Sequence, residues 1–353
     1  LITNVFAGIG LHAVGGIAAA SCYVPQRGTS GWSYQSYWLL FCVAGWLVTP
    51  IVVALLTVPD LLPILSESPI TVILATTTLG AIYGFGGMAF ALGIQYIGFS
   101  LTYAIAIGIS AVLGTVIPAL LGGNLIESFQ KPGGGTVLAG FAISIVGVAL
   151  CGLAGVRKER ELVAANPDAS GSFNIRKGLV LVVLAGVLSA VFGLSLSAGD
   201  PLDRLAVNHG VTNFQSHVKY IFAMGGAFLT NLVWWGIVHA RRGTFREYIE
   251  VPPGSAGKSK LAANYFFGIL SGLLWYGQFF FYGLGHVRMG GFGFMSWGIH
   301  MTMLVFFSFA IGYVFNEWHN FSRRTTSTLY CGLITLLASF AVITYGSWVG
   351  TSN

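Results

Sequence analysis

Charge is scarce in this sequence. Only 8% of its 353 residues are Asp, Glu, Lys or Arg, against roughly 25% in ordinary water-soluble chains, which excludes a surface built to be wetted. Hydrophobic residues make up 55% of the chain and the mean hydropathy is +0.78. One core cannot hide that much apolar surface, so lipid must cover the excess. A long basic face is also missing: the net charge of +6 comes in short clusters between apolar runs, which argues against a nucleic-acid partner and reads instead as a topology signal. Cys22, Cys42, Cys151 and Cys331 stand singly in apolar segments without metal-ligand spacing. Free thiols and no metal are expected. Paired carboxylates, a metal cluster and a nucleophile with its base are lacking as well, so no enzyme chemistry and no cofactor are expected.

The acids themselves avoid the apolar runs. Asp60, Glu67, Glu127, Glu159, Glu161, Asp168, Asp200, Asp203, Glu247, Glu250 and Glu317 all fall in loops or at run ends. An ionisable group at the bilayer centre is costly and is kept for function, so this pattern excludes the commonest carboxylate proton relay. Histidine remains, notably His12 and His300, whose ordinary pKa lies close to physiological pH. Either could exchange a proton in an outward-open cavity, or be a neutral histidine bonded to a neighbouring helix. Glu317, near Arg323 and Arg324, is a third proton candidate that equally suits a structural ion pair.

What is abundant is apolar run and glycine, the latter at 49 residues, which suits helices that pack backbone to backbone. Crossing about 30 Å of hydrocarbon takes roughly 20 residues of helix. Runs of that length lie at 4–24, 37–58, 71–95, 99–122, 136–156, 178–198, 215–240, 261–285, 292–315 and 326–349. The first contains Ala19-Ala20-Ser21-Cys22, faintly like a lipoprotein cleavage site, but no basic residue precedes it and it reads as a membrane helix. The expected fold is therefore all-α and polytopic, with about ten transmembrane helices.

Of the 17 Lys and Arg, all but Lys131, Arg204, Lys219 and Arg288 fall in loops on one side. The positive-inside rule makes that side cytoplasmic and both termini periplasmic, in a bacterial inner membrane. Five helices followed by five more predict two inverted repeats, 1–156 and 178–353, joined by a cytoplasmic linker at 157–177. Gly80-Ala81-Ile82-Tyr83 sets beside Gly272-Leu273-Leu274-Trp275, and the same offset pairs Leu92 with Leu284, Gly93 with Gly285 and Gly98 with Gly290.

The densest polar and aromatic group is Trp275-Tyr276-Gly277-Gln278-Phe279-Phe280-Phe281-Tyr282-Gly283-Leu284-Gly285-His286. Trp275, Gln278, Tyr282 and His286 share a helical stripe roughly 80° wide. Rings stack on the apolar face of a pyranose, while an indole N–H, an amide and a phenol bond its hydroxyls. The competing reading is a packing seam whose Tyr282 and His286 reach the membrane interface; against it, a buried Gln278 needs partners. Trp297 lies one turn from His300, Tyr83 stands above Gly86 and Gly87, and Asn231 is the one deep amide of its run, suited equally to structural bonding or to ligand contact.

These residues resemble the L-rhamnose/proton symporter family of the drug/metabolite transporter superfamily. The likeness is densest at Trp275-Tyr276 through His286, at Ser296-Trp297-Gly298-Ile299-His300-Met301 and at Asn316-Glu317-Trp318 with Asn320 and Arg323-Arg324. It extends to His12, Cys22-Tyr23-Val24-Pro25, Trp32-Ser33, Trp38, Gly98-Phe99-Ser100 and Ala104-Ile105-Ala106-Ile107-Gly108-Ile109. The chain departs from the family pattern at Arg27, a lone basic residue, and at the Gly-rich Met289–Phe294. The resemblance implies an inner-membrane carrier importing a 6-deoxyhexose, L-rhamnose first, with protons. Its partners would be that sugar, protons and the bilayer, with no obligate protein partner. The alternative is an uncoupled facilitator or exporter of another small metabolite.

Overall fold

The computed structural model describes residues 4–121, 130, 132–165, 173–250, 258–289 and 296–352. These residues are mostly helical, with no strand among them. In chain order the helices are α1 (Val5–Ser21), α2 (Tyr34–Thr57), α3 (Leu61–Glu67), α4 (Ile70–Ile97), α5 (Phe99–Leu121) and α6 (Gly134–Ala165). There follow α7 (Ile175–Ala198), α8 (Asp200–Asn208), α9 (Ser216–Arg242), α10 (Lys258–Arg288), α11 (Ser296–Val314) and α12 (Arg323–Ser352). Among the described residues six segments are long and apolar enough to cross a membrane: Tyr34–Thr57, Ile70–Ile97, Gly134–Ala165, Ile175–Asn208, Ser216–Arg242 and Arg323–Gly346. Phe6–Ser21, Phe99–Gly114 and Ile299–Val314 are shorter apolar helices. Large apolar side chains point outward along these helices, Leu56 being 79% exposed and Val180 70%, as an acyl-chain solvent requires.

Two details differ from the sequence reading. The described part of the 157–177 stretch is largely helix: α6 continues through residues 157–165, whose Lys, Arg and Glu residues are good helix formers, and α7 begins at Ile175. The polar connections also contain two short helices, α3 and α8. Leu61 and Ile64 of α3 meet Leu202 and Ala206 of α8, with Ala54, Val58, Val211 and Val218, in one buried apolar cluster.

The chain forms two compact units, and each takes segments from both halves of the sequence. The first comprises Ser21–Phe85 and Phe192–Leu284; the second comprises Ile2–Ala20, Gly86–Val191 and Gly285–Asn353.

The first unit is built on close helix crossings. A methyl group on Gly272 of α10 would stand 2.6 Å from the backbone nitrogen of Gly45, and one on Gly45 of α2 would stand 2.7 Å from the Gly272 oxygen. On α4 and α9, a methyl on Gly80 would strike the Ala223 carbonyl, and one on Gly226 the Thr77 carbonyl. Only glycine allows such approach, and in lipid it brings dispersion and backbone dipoles together. The polar side chains of this unit are held in networks. Lys219 Nζ lies 2.7 Å from both Asp200 Oδ1 and Asp203 Oδ2, and Ser216 Oγ donates to Asp203 at 2.8 Å. Glu247 accepts from the Ser33 amide at 2.7 Å and from the Ser33 and Ser36 hydroxyls at 2.8 and 2.6 Å, covering the start of α2.

In the second unit α6 and α12 run antiparallel along small residues: Gly140 meets Ile343, Gly147 meets Leu336 and Gly332 meets Cys151. Helix starts here too are covered by glutamates. Ile175 N donates to Glu159 at 3.0 Å. Ser322 N and Thr325 Oγ1 donate to Glu161 at 2.8 and 2.6 Å. A carboxylate at a helix N-terminus satisfies free amides and complements the helix dipole, which explains why these acids gather at run ends.

Candidate functional site

The first unit contains an aromatic cluster centred on Trp275 of α10. The Trp275 ring lies 5.2 Å from Trp46 (centroid to centroid), 5.0 Å from Phe279 and 6.3 Å from Phe192, and it stacks on Tyr83 at 6.4 Å. Tyr83 in turn is 4.4 Å from Phe192 and 6.1 Å from Trp46. All five side chains are buried. Trp46 reaches the cluster because Val43–Val48 of α2 forms a π-helical turn, a local widening that rotates the following side chains and recurs at functional positions. Its Nε1 is buried and has no hydrogen-bond partner among the described residues.

Of the residues singled out in the sequence, Tyr83 and Trp275 are therefore brought together. Gln278 is buried, and its Nε2 donates to the Trp275 carbonyl at 3.0 Å; the partner is its own helix, not a neighbouring one. Tyr276 turns to the other side of α10, where its ring lies 6.3 Å from His217 and 6.5 Å from Tyr220. Its hydroxyl is buried without a partner among the described residues. Tyr282 is half-buried further along the same helix.

Asn231 is completely buried, and its amide is fully engaged. Oδ1 accepts from Trp38 Nε1 at 2.7 Å, while Nδ2 donates to the carbonyls of Gly84 at 3.1 Å and Ala227 at 2.9 Å. Trp38 lies 6.1 Å from Trp46, edge to face, so the amide positions the back of the aromatic cluster.

His12, His300, Trp297 and Glu317 belong to the second unit. The His12 and His300 rings are buried, 0% and 1% exposed, with centroids 6.0 Å apart and planes at 62°. Gly285 lets α10 pass over His12, a methyl there standing 3.0 Å from Cε1. Trp297 is half-buried, its Nε1 beside Gly114 of α5.

Glu317 does not use Arg323 or Arg324. Its carboxylate accepts from Phe99 N at 2.7 Å, Ser100 N at 3.2 Å and Ser100 Oγ at 3.0 Å, at the start of α5. Gly98 makes room for it: φ is +84°, and a methyl group would lie 3.1 Å from Glu317 Oε1. Lys158 Nζ donates to the Glu317 carbonyl at 3.1 Å and sits 4.3 Å from the centre of the Trp318 ring, with Phe173 and Phe321 completing the cage. The Gly98-Phe99-Ser100 and Asn316-Glu317-Trp318 motifs thus meet as one joint.

The sequence reading missed Trp46, Phe192 and His217. A tryptophan in mid-run, away from the interfaces where the residue usually collects, was the available signal for Trp46. His217 is buried, bonded through Nδ1 to Thr57 Oγ1 at 2.7 Å, and nothing in the sequence separated it from an interfacial histidine. No cluster of three His, Cys, Asp or Glu suited to a metal occurs among the described residues.

Apolar helices with buried polar and aromatic side chains, in two units drawn from both halves of the chain, define a polytopic membrane protein. The chain belongs to the L-rhamnose-proton symport protein family, whose sequence profile matches residues 2–348; this is a family of transporters, not of enzymes. The chain is 30% identical to the L-rhamnose-proton symporter of Citrobacter koseri over 341 residues, 96% of this chain and 97% of that one. Against the L-rhamnose-proton symporter of Mannheimia succiniciproducens it is 30% identical over 345 residues, 97% and 98% of the two chains.

Proposed function

We propose that this chain imports L-rhamnose with protons across the bacterial inner membrane, through ten membrane-spanning helices arranged as two inverted five-helix repeats of the drug/metabolite transporter type. The observation that carries the sugar reading is the buried Trp46 Nε1, a donor without a partner among the described residues, set in a cluster with Tyr83 and Trp275. An unmade buried hydrogen bond is costly, and a sugar hydroxyl would supply it while the ring faces receive the apolar side of a pyranose. Trp275, Tyr83 and Gln278 are the contacts assigned to the sugar, with Tyr276 and Tyr282 as further candidates in the same unit; Trp297 belongs to the second unit and is not assigned to this cluster. Asn231 is assigned the positioning of Trp38.

The repeat has support beyond the matched segments. Gly80 and Gly272 correspond in the two halves, and each lies at a glycine crossing, α4 with α9 and α10 with α2. In an inverted repeat of five and five, α4 corresponds to α10 and α2 to α9, so the two crossings are one arrangement used twice. The charge asymmetry supports a topology with both ends of the chain on the periplasmic side, which impermeant labelling of a cysteine at Ser352 would read out.

Proton coupling is assigned first to His300 and then to His12. Two imidazolium charges 6.0 Å apart in a buried place repel strongly, so the pair would hold one added proton at a time. Glu317 is bound to the start of α5 and is assigned a structural role. The experiment is addition of L-rhamnose to weakly buffered proteoliposomes containing the protein. Symport alkalinises the outside medium; an uncoupled facilitator takes up sugar with no pH change, and an exporter of another metabolite takes up none.

A further inference from the structure

A groove of about 570 Å³ lies between the C-terminal end of α4 and the N-terminal end of α7, lined by Leu92, Tyr96, Val180 and Leu181 with Arg176 and Lys177 at its mouth. We propose that it binds one anionic phospholipid, an acyl chain on the apolar floor and the phosphodiester between the two cations.

The groove is a fixed part of the fold. Asn174 N donates to the Tyr96 carbonyl at 3.1 Å, tying the two helix ends together, and Gly178 packs directly on Ile97. The anion is not assigned to the helix end, where most of the first amides are already engaged: Ile175 N donates to Glu159 and Lys177 N to Asn174 Oδ1, both at 3.0 Å, and Gly178 N to the Asn174 carbonyl at 2.9 Å. The two side-chain cations are what remains. Both are exposed, and neither forms an ion pair among the described residues. Placing Arg and Lys in the first turn of α7 opposes its dipole, a cost that a bound anion would offset. Among the described residues no acidic side chain lines the groove, and the nearby Glu159 is engaged by the α7 backbone.

Charge at the mouth and apolar surface below it match an amphiphile better than a free phosphate, which would leave the floor unfilled, or a zwitterionic lipid, whose choline would meet two like charges. In the proposed topology this end faces the cytoplasm, where basic residues next to membrane helices attract anionic headgroups. The inference rests on that placement and not on the identity of the sugar.

The test uses the purified full chain in detergent with equal amounts of dioleoylphosphatidylglycerol and dioleoylphosphatidylcholine, bound lipid being counted by native mass spectrometry. No sugar or proton gradient enters, so its outcome and that of the transport experiment are independent. The wild type should retain phosphatidylglycerol over phosphatidylcholine by roughly ten- to thirtyfold, the range expected of two interfacial cations at low salt, with the preference falling as salt is raised. The Arg176→Gln/Lys177→Gln variant should lose the preference, and Val180→Asn should weaken retention of both lipids. Arg241→Gln/Arg242→Gln, outside the groove, should retain both lipids as the wild type does. Equal retention of the two lipids by the wild type, or undiminished preference in the Arg176→Gln/Lys177→Gln variant, overturns the proposal. Displacement of the lipid by millimolar inorganic phosphate would overturn its commitment to an amphiphile.

Discussion

Tyr83 and Trp275 stack with ring centroids 6.4 Å apart and planes 27° from parallel, and each stands three residues after a glycine at which two helices cross. Under the proposed repeat they are the same position used twice, meeting face to face inside one unit. The aromatic cluster is then a consequence of the crossings: where Gly80 and Gly272 let backbones touch, the next turn of each helix brings its ring toward the other.

The crossings should therefore be intolerant and equivalent. Gly272→Ala would force a methyl group against the Gly45 backbone, and Gly80→Ala one against the Ala223 carbonyl. Backbone cannot move aside as a flexible side chain would, so each substitution should cost on the order of 3 kcal/mol and lower the melting temperature of the purified protein by similar amounts. A melting point unchanged in either variant would show that the helices can slide apart at no cost.

Asn231→Leu keeps the branched shape but removes both ends of the amide, leaving Trp38 Nε1 buried without its acceptor. A loss of about 1–3 kcal/mol in stability is expected, together with a weaker hold on sugar through the displaced Trp38 and Trp46. Thermal melting and isothermal titration with L-rhamnose measure the two effects. Lost binding with intact stability would instead put Asn231 in contact with the ligand.

Sugar contacts are separable from scaffold by the same titration. Trp46→Phe keeps an aromatic face but exchanges the indole and its N–H for a smaller phenyl ring, and Trp275→Ala and Gln278→Ala remove a stacking face and an amide. Each should weaken binding about five- to a hundredfold, corresponding to 1–3 kcal/mol, with folding retained. Unchanged affinity in all three would make the cluster a packing seam.

His300→Gln preserves a hydrogen-bonding side chain but cannot take up a proton. It should continue to exchange labelled for unlabelled sugar while failing to concentrate it against a gradient, and the pH dependence of uptake should disappear. Uphill accumulation with wild-type pH dependence would make His300 structural and move the coupling site to His12.

The long helices were legible because each is bounded by charge, Pro or polar residues and because length alone sets a membrane crossing. Tyr83, Trp275 and Gln278 were legible as a polar and aromatic group in an apolar run. Trp46 was not, since a regular helix projected through Val43–Val48 gives no hint of the widened turn that aims its ring. Nor was the place of Glu317: in sequence its neighbours are Arg323 and Arg324, but its partners are Phe99 and Ser100, 218 and 217 residues away. Charge patterning finds ion pairs along a helix or a loop, whereas a carboxylate that covers a remote helix end leaves no periodic trace.

That separation also orders assembly in time. A chain grows from its N-terminus, so α5 is made long before the carboxylate that completes its first turn. The same is true of α2, whose start waits for Glu247, 214 residues beyond Ser33. Both helices must enter the bilayer with their first amides still bonded to water or lipid headgroups, and they exchange those partners only when the second half of the chain arrives. The glutamates thus act as closing fasteners, and a chain ended before Glu317 would carry an α5 packed on α6 and α7 but with its first turn uncovered.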